Sequence, residues 1–203
     1  MNPVSSNSFK SERVILDHEQ LHQALSDLVD RLYILYGDAS NFDVVGIETG
    51  GARLAERVVN IFKRRYGEAP QLGRLDITLY RDDLYTGLEK VLMGETHVPF
   101  AIDERVIVLI DDVLFTGRTV RAALQELLDL GRPSRVYLYV LIDRGHRELP
   151  IQADDVGLRV DTQKDDRIKL EYSGSERMVD GVILVSNAEA PPKAHMRGQS
   201  NAE

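Results

Sequence analysis

The sequence predicts an α/β domain built on a mostly parallel, twisted sheet flanked by helices. Three observations carry this. Short apolar runs of strand length alternate with stretches of helical periodicity. The most apolar run, Val106 to Ile110, is followed at once by two acids, a Thr-Gly turn and a new helical pattern. The 203 residues suffice for one domain with a single substantial core.

Taken in order, residues 1–13 are polar and read as an N-terminal arm. Residues 14–186 form the domain, and 187–203, with Pro191, Pro192, Gly198 and Ser200, have the composition of a disordered tail. Asp17 is a candidate N-cap, and Leu21, Leu25, Leu28, Val29, Leu32 and Leu35 recur at helical spacing up to Gly37. Val44 to Ile47 reads as a buried strand, broken by Thr49-Gly50-Gly51. Leu54, Ala55, Val58, Val59 and Phe62 place a helix over 52–66. Leu72 to Tyr80 alternates as a strand does, whereas Arg81 to Glu104 lacks periodicity and reads as a long excursion of the functional kind. Arg105 to Ile110 is the strongest strand, followed by a helix from Thr119 to Leu130 that Gly131 and Pro133 close. Arg135 to Ile142, Val156 to Val160, Ile168 to Tyr172 and Val179 to Val185 complete the strands.

Composition narrows the classes. Without cysteine the chain has no disulfides and no thiolate metal site, which suits a reducing cytoplasm. No apolar run reaches the length of a membrane span, so no membrane partner is expected. The formal net charge of −8 opposes nucleic acid unless a local basic patch overrides it.

The segment after Ile110 carries the chemistry. A buried strand delivers Asp111 and Asp112. Then Val113-Leu114-Phe115-Thr116-Gly117-Arg118-Thr119 turns into a helix. Free N–H groups at a helix start, the helix dipole and two Thr hydroxyls suit a phosphate dianion. Gly117 lets the backbone approach it without a Cβ in the way. Two acids beside a phosphate must hold something else, such as diol hydroxyls or Mg²⁺ reached through water.

This stretch resembles the 5-phosphoribosyl-1-pyrophosphate (PRPP) signature of type I phosphoribosyltransferases. Asp76 to Leu84 and Val140 to Ile151 are similar to segments of the pyrimidine operon regulator/uracil phosphoribosyltransferase family, the likeness running from about Val14 to Val185. The resemblance implies a type I phosphoribosyltransferase fold with a small hood and a long flexible loop. It implies pentosyl transfer from PRPP to uracil, giving UMP and diphosphate, with Mg²⁺ as cofactor. Asp111 and Asp112 would hold the ribose hydroxyls and the metal, and Thr116, Gly117, Arg118 and Thr119 would cradle the 5′-phosphate. Thr49, Gly50 and Gly51 would form the diphosphate loop, which Arg81 approaches when the long loop closes. Phe115, Ile142, Asp143 and Arg144 would surround the base. Purine-using relatives often carry Asp where this chain has Phe115, which favours a pyrimidine.

The resemblance also implies a homodimer or homotetramer, and a regulator that senses UMP or UTP and binds leader RNA of pyrimidine genes as the alternative to the enzyme. A phosphoribosyltransferase for hypoxanthine or guanine is a third reading. Two departures matter. The family's Lys-Thr-Arg-Gly-like loop is Glu48-Thr49-Gly50-Gly51 here, with fewer cations. The first helix, part of the family's basic RNA face, carries Asp17, Glu19, Asp27 and Asp30 against Arg31, which argues against RNA. Lys164, Arg167 and Lys169 remain, with Asp165 and Asp166 between them. His146 and Arg147 read as surface or interface groups.

Overall fold

A computed structural model describes residues 11–80, 96–174, 178–186 and 194–196. Its main sheet has the order β3-β2-β4-β5-β6-β9. These strands are β2 (Phe42–Ile47), β3 (Leu72–Leu75), β4 (Val106–Leu114), β5 (Arg135–Asp143), β6 (Asp155–Val160) and β9 (Ala194–Met196). The first five run parallel and β9 joins antiparallel. A second sheet, β1-β8-β7, is antiparallel and forms the hood, from β1 (Ser11–Leu16), β7 (Arg167–Ser173) and β8 (Met178–Ser186). No helix among the described residues is long and apolar enough to cross a membrane.

Helix α1 (His18–Tyr36) starts where the sequence places it. The Asp17 carboxylate accepts the Gln20 N–H at 2.9 Å, and the Gln20 side chain accepts the Asp17 N–H at 3.1 Å, a reciprocal cap. Its apolar stripe, Leu21, Leu25, Leu28, Val29 and Leu32, is buried. That stripe packs with α2 (Gly50–Tyr66) over one face of the main sheet, on Val108, Ile110, Tyr139 and Leu158. Helix α3 (Arg118–Leu130) covers the other face, with Val120, Ala123 and Leu127 against Ile107, Leu109, Leu138 and Val140. Both faces are covered, which is why the parallel strands read as continuous apolar runs.

Four boundaries differ from expectation. Strand β1 begins at Ser11, inside the expected arm, and pairs with β8. The expected strand 72–80 stops at Leu75, because the Asp76 carboxylate accepts the Thr78 N–H at 3.0 Å and turns the chain into a short 3-10 helix. Strand β4 does not end at Ile110 but runs through Leu114, paired with β5 as far as Leu114 opposite Asp143. Within the expected tail, Ala194–Met196 pairs with β6. Arg81, with the rest of 81–95, lies outside the described residues.

Tyr139 of β5 is fully buried, and its hydroxyl has no hydrogen-bond partner among the described residues. An unpaired buried hydroxyl costs about 1–3 kcal/mol. Tyr139→Phe is therefore expected to raise the unfolding free energy by about 1 kcal/mol or more, read as a shift in the urea midpoint at constant slope. A lower midpoint would contradict it.

Candidate active site

The site lies at the carboxyl ends of β2 and β4, where an open α/β sheet places its ligands. Alternation along β4 holds as far as Ile110: Ile107 and Leu109 face α3, and Val108 and Ile110 face α1 and α2. Beyond the two acids Val113 packs with the α1 and α2 core and Leu114 with the α3 core, so the alternation shifts across Asp111 and Asp112. Asp111 is 3% exposed, and its Oδ1 accepts the Asp112 N–H at 3.0 Å. Asp112 is half-buried, accepts the Val113 N–H at 2.8 Å and lies against the first turn of α2. Burial holds the Asp112 carboxyl above the usual aspartate range, while Asp111 and the Val113 N–H pull the other way.

Gly50 and Gly51 open α2, and both are buried. A Cβ at Gly50 would sit 2.1 Å from Asp112 Oδ2, and one at Gly51 would sit 2.3 Å from the Ile110 carbonyl oxygen. The helix start thus lies flush on β4, and the room a side chain at position 50 would need is taken by the Asp112 carboxylate. Thr49, exposed, precedes this turn, and the Glu48–Thr49 peptide is cis. Burial pushes the Glu48 carboxyl up, against the opposing pull of Arg74 and Arg53. The Arg53 guanidinium lies 5.5 Å from the Tyr172 ring centroid, linking this turn to the hood.

Between β4 and α3, residues 113–119 line a cavity of about 150 Å³. Gly117 takes φ 93°, a left-handed conformation, directly before the helix. Gly117 has no side chain to cap the helix, so the first-turn N–H groups beside the cavity lack intrahelical acceptors. The Arg118 N–H makes one long contact, 3.4 Å, with Thr116 Oγ1. The Arg118 guanidinium pairs with Glu148 at 3.0 Å.

The turn is held from behind by the loop after β5. Glu148 and Leu149 N–H groups donate to the Thr116 carbonyl at 3.0 and 3.1 Å. Arg147 donates to the carbonyls of Phe115 at 2.9 Å, Gly145 at 3.0 Å and Ile151 at 3.0 Å, and pairs with Asp143 at 2.6 Å. Arg147 is thus a clamp on the turn after β4 rather than a surface group. Sequence reasoning missed it because its partners are main-chain carbonyls, which no motif records.

Phe115 stands beside a second cavity, of about 460 Å³, lined by Phe115, Arg144, Lys164, Asp165, Asp166, Arg167 and Val185. The Arg144 guanidinium lies 4.2 Å from the Phe115 ring centroid, and its N–H groups donate to Thr162 Oγ1 and to the carbonyls of Asp166 and Gln163. Burial lowers the Arg144 pKa, and Asp166 and Asp165 oppose this. His146 Nε2 lies 2.7 Å from the Thr162 carbonyl oxygen, with its ring edge-on to Phe115. Of the four residues expected around the base, Phe115 and Arg144 line this cavity. Ile142 is fully buried in the core, and Asp143 is engaged with Arg147 and the Gly145 N–H. Neither Ile142 nor Asp143 lines this cavity, whose wall includes Lys164, Asp165, Asp166 and Arg167. Lys164 and Arg167, which in the sequence remain as basic residues with Asp165 and Asp166 between them, line the cavity.

Residues 14–172 match the family model described as phosphoribosyl transferase domain. The chain is 44% identical over 178 residues to a protein named bifunctional protein PyrR from Pelotomaculum thermopropionicum, covering 86% of this chain and 96% of that one. It is 45% identical over 162 residues to a protein of the same name from Deinococcus radiodurans, covering 80% and 88%. Among solved structures, a hypoxanthine phosphoribosyltransferase from Staphylococcus aureus superposes with TM-score 0.62 at 21% identity, covering 90% of this chain and 96% of that chain. That from Trypanosoma cruzi does so with TM-score 0.64 at 13% identity, covering 89% and 97%. At such identities the two structures speak for the fold alone.

Proposed function

Since the chain belongs to the phosphoribosyl transferase family, as a PyrR-type member, we propose that its site joins uracil to the ribose of PRPP and releases diphosphate. The observation that carries this reading is the main-chain cradle at 115–119, set beside Asp112 and the glycine-floored start of α2. In the reaction the bond from C1′ to the diphosphate oxygen breaks, the bond from uracil N1 to C1′ forms, and the N1 proton is lost. Positive charge develops on the sugar, so the protein's work is positioning and electrostatics.

The amides of Gly117, Arg118 and Thr119 and the hydroxyls of Thr116 and Thr119 would receive the 5′-phosphate, with the α3 dipole behind them. Asp112 would accept hydrogen bonds from the ribose hydroxyls and face the developing charge, while Asp111, beneath it, orients its neighbour through the Asp112 N–H. The Thr49-Gly50-Gly51 turn would take the diphosphate on backbone N–H groups, with Arg81 as the candidate side chain closing over it. The uracil ring would enter the cavity beside Phe115, with Lys164 and Asp165 for its polar edge.

Mg²⁺ fits the donor set. No group of three or more ligating side chains occurs among the described residues. An ion there would be held by Asp112 and Asp111, in part through water, with the remaining oxygens from PRPP. A carboxylate whose charged form burial disfavours would gain from a nearby cation. Bound there, the metal would neutralise diphosphate charge.

Arg147→Gln is expected to lower kcat/KM for PRPP by about 10- to 100-fold through misplacement of the turn, with Arg147→Lys restoring part of it. An unchanged kcat/KM in a folded Arg147→Gln variant would rule out the clamp. The function itself is tested by product formation from PRPP, Mg²⁺ and each of uracil, hypoxanthine and guanine. UMP as the sole nucleotide product supports the reading, and a purine nucleotide product overturns it. Against leader RNA, Arg31 of α1 is committed to the buried Asp155 at 2.5 Å, and Arg65 of α2 to Asp30. Filter binding across a salt series is expected to find no tight complex on that face.

A further inference from the structure

Outside the site, several basic side chains line a cavity of about 560 Å³ between α1, α2 and the start of β8. Arg57, Lys63 and Arg64 come from α2, His18 and His22 from α1, and Asp180 from β8. Ile61, Met178 and Val179 give the cavity an apolar side. In a chain of net charge −8 this is a local inversion of sign. Three elements distant in sequence converge to make it.

The charges are not balanced from within. Asp180 is the one acid lining the cavity, and its carboxylate is occupied by His18 Nδ1 at 2.6 Å. Arg57 is half-buried and donates to the Val179 carbonyl, a neutral acceptor. Burial lowers its pKa, Asp180 raises it, and the nearby Arg64 lowers it further. Lys63 and Arg64 make no ion pair among the described residues, whereas Arg65, next in sequence, points elsewhere to Asp30. Cations at the end of a helix are favoured by its dipole. The dipole does not account for Arg57, two turns earlier, or for the imidazoles facing it from α1.

We propose that this cavity is a second anion site, distinct from the phosphate turn, for a small molecule carrying a chain of phosphates. A chain of two or three phosphates matches several like charges spread around one concavity, where a single monoanion would leave most of them unpaired. The apolar side accommodates a nucleoside part, so the phosphates can come from inorganic oligophosphate or from a nucleotide. An RNA backbone needs an open track rather than a cavity, and Asp180 would oppose its passage.

The test is calorimetric titration of the full chain with inorganic triphosphate and, separately, with a nucleoside triphosphate, with UMP present to fill the phosphate turn. One site per chain is expected, weakened about tenfold in the exposed double variant Lys63→Gln/Arg64→Gln. Thermal stability and phosphoribosyl transfer should be unchanged in that variant. Tighter binding of the nucleoside triphosphate assigns the apolar side to a base, and equal binding assigns the site to the phosphate chain alone. Absence of heat with both ligands, affinity indifferent to the double variant, or binding of an RNA oligomer without binding of either small ligand would each overturn the proposal. The outcome is independent of whether uracil proves to be the acceptor.

Discussion

Gly117→Val is expected to abolish measurable binding of ribose 5-phosphate, a loss on the order of 100-fold or more. The native φ of 93° is closed to a β-branched residue. A Cβ there would also meet Ile151 Cβ at 3.3 Å and Leu149 Cβ at 3.4 Å, both in the loop that backs the turn. The turn has to move, and the amides then no longer converge. Gly174→Ala, at φ 70° with nothing within 4 Å, supplies the control for backbone strain alone. It should lose stability and keep its affinity. Titration calorimetry on both variants decides the matter, and a Gly117→Val protein that still binds would remove the cradle from the account.

Asp112→Asn is expected to lower turnover on the order of 100-fold while leaving the fold intact. The stability effect has a definite sign. Burial raises the folded-state pKa of Asp112, so the folded protein holds this proton more tightly than the unfolded chain does. The stabilisation it gives is complete below the unfolded aspartate pKa and is lost as pH rises through the folded one. Above the folded-state pKa the wild type has lost it, whereas Asn has no such proton to lose. The variant should therefore melt at or above the wild-type temperature on the alkaline side of that pKa, and the difference should shrink as the solution is acidified through it. Wild-type turnover in Asp112→Asn, or a gap that widens in acid, would contradict the role and the environment assigned to this carboxylate.

What the sequence disclosed follows from where its signals were local. Helix α1 carries its own start in Asp17 and Gln20, and β4 and its following turn are one contiguous motif. Strand β1 has no such signal. Ser11, Glu12 and Val14 are exposed, only Ile15 and Leu16 are buried, and its pairing partner lies more than 160 residues away in β8. The full extent of β4 escaped for a related reason, since its continuation to Leu114 depends on pairing with β5. Lys164, Asp165 and Arg147 escaped because their places are fixed by a hood loop and by main-chain carbonyls brought from elsewhere. Ile142 was placed near the base by its neighbours in sequence, although β5 buries it completely.

The most direct measurement is a crystal structure of the protein with ribose 5-phosphate. The phosphoryl group should lie in the cavity of residues 113–119, within hydrogen-bond reach of the Gly117, Arg118 and Thr119 amides, with the ribose hydroxyls toward Asp112. A phosphoryl group bound anywhere else, or ribose hydroxyls directed away from Asp112, would contradict the account.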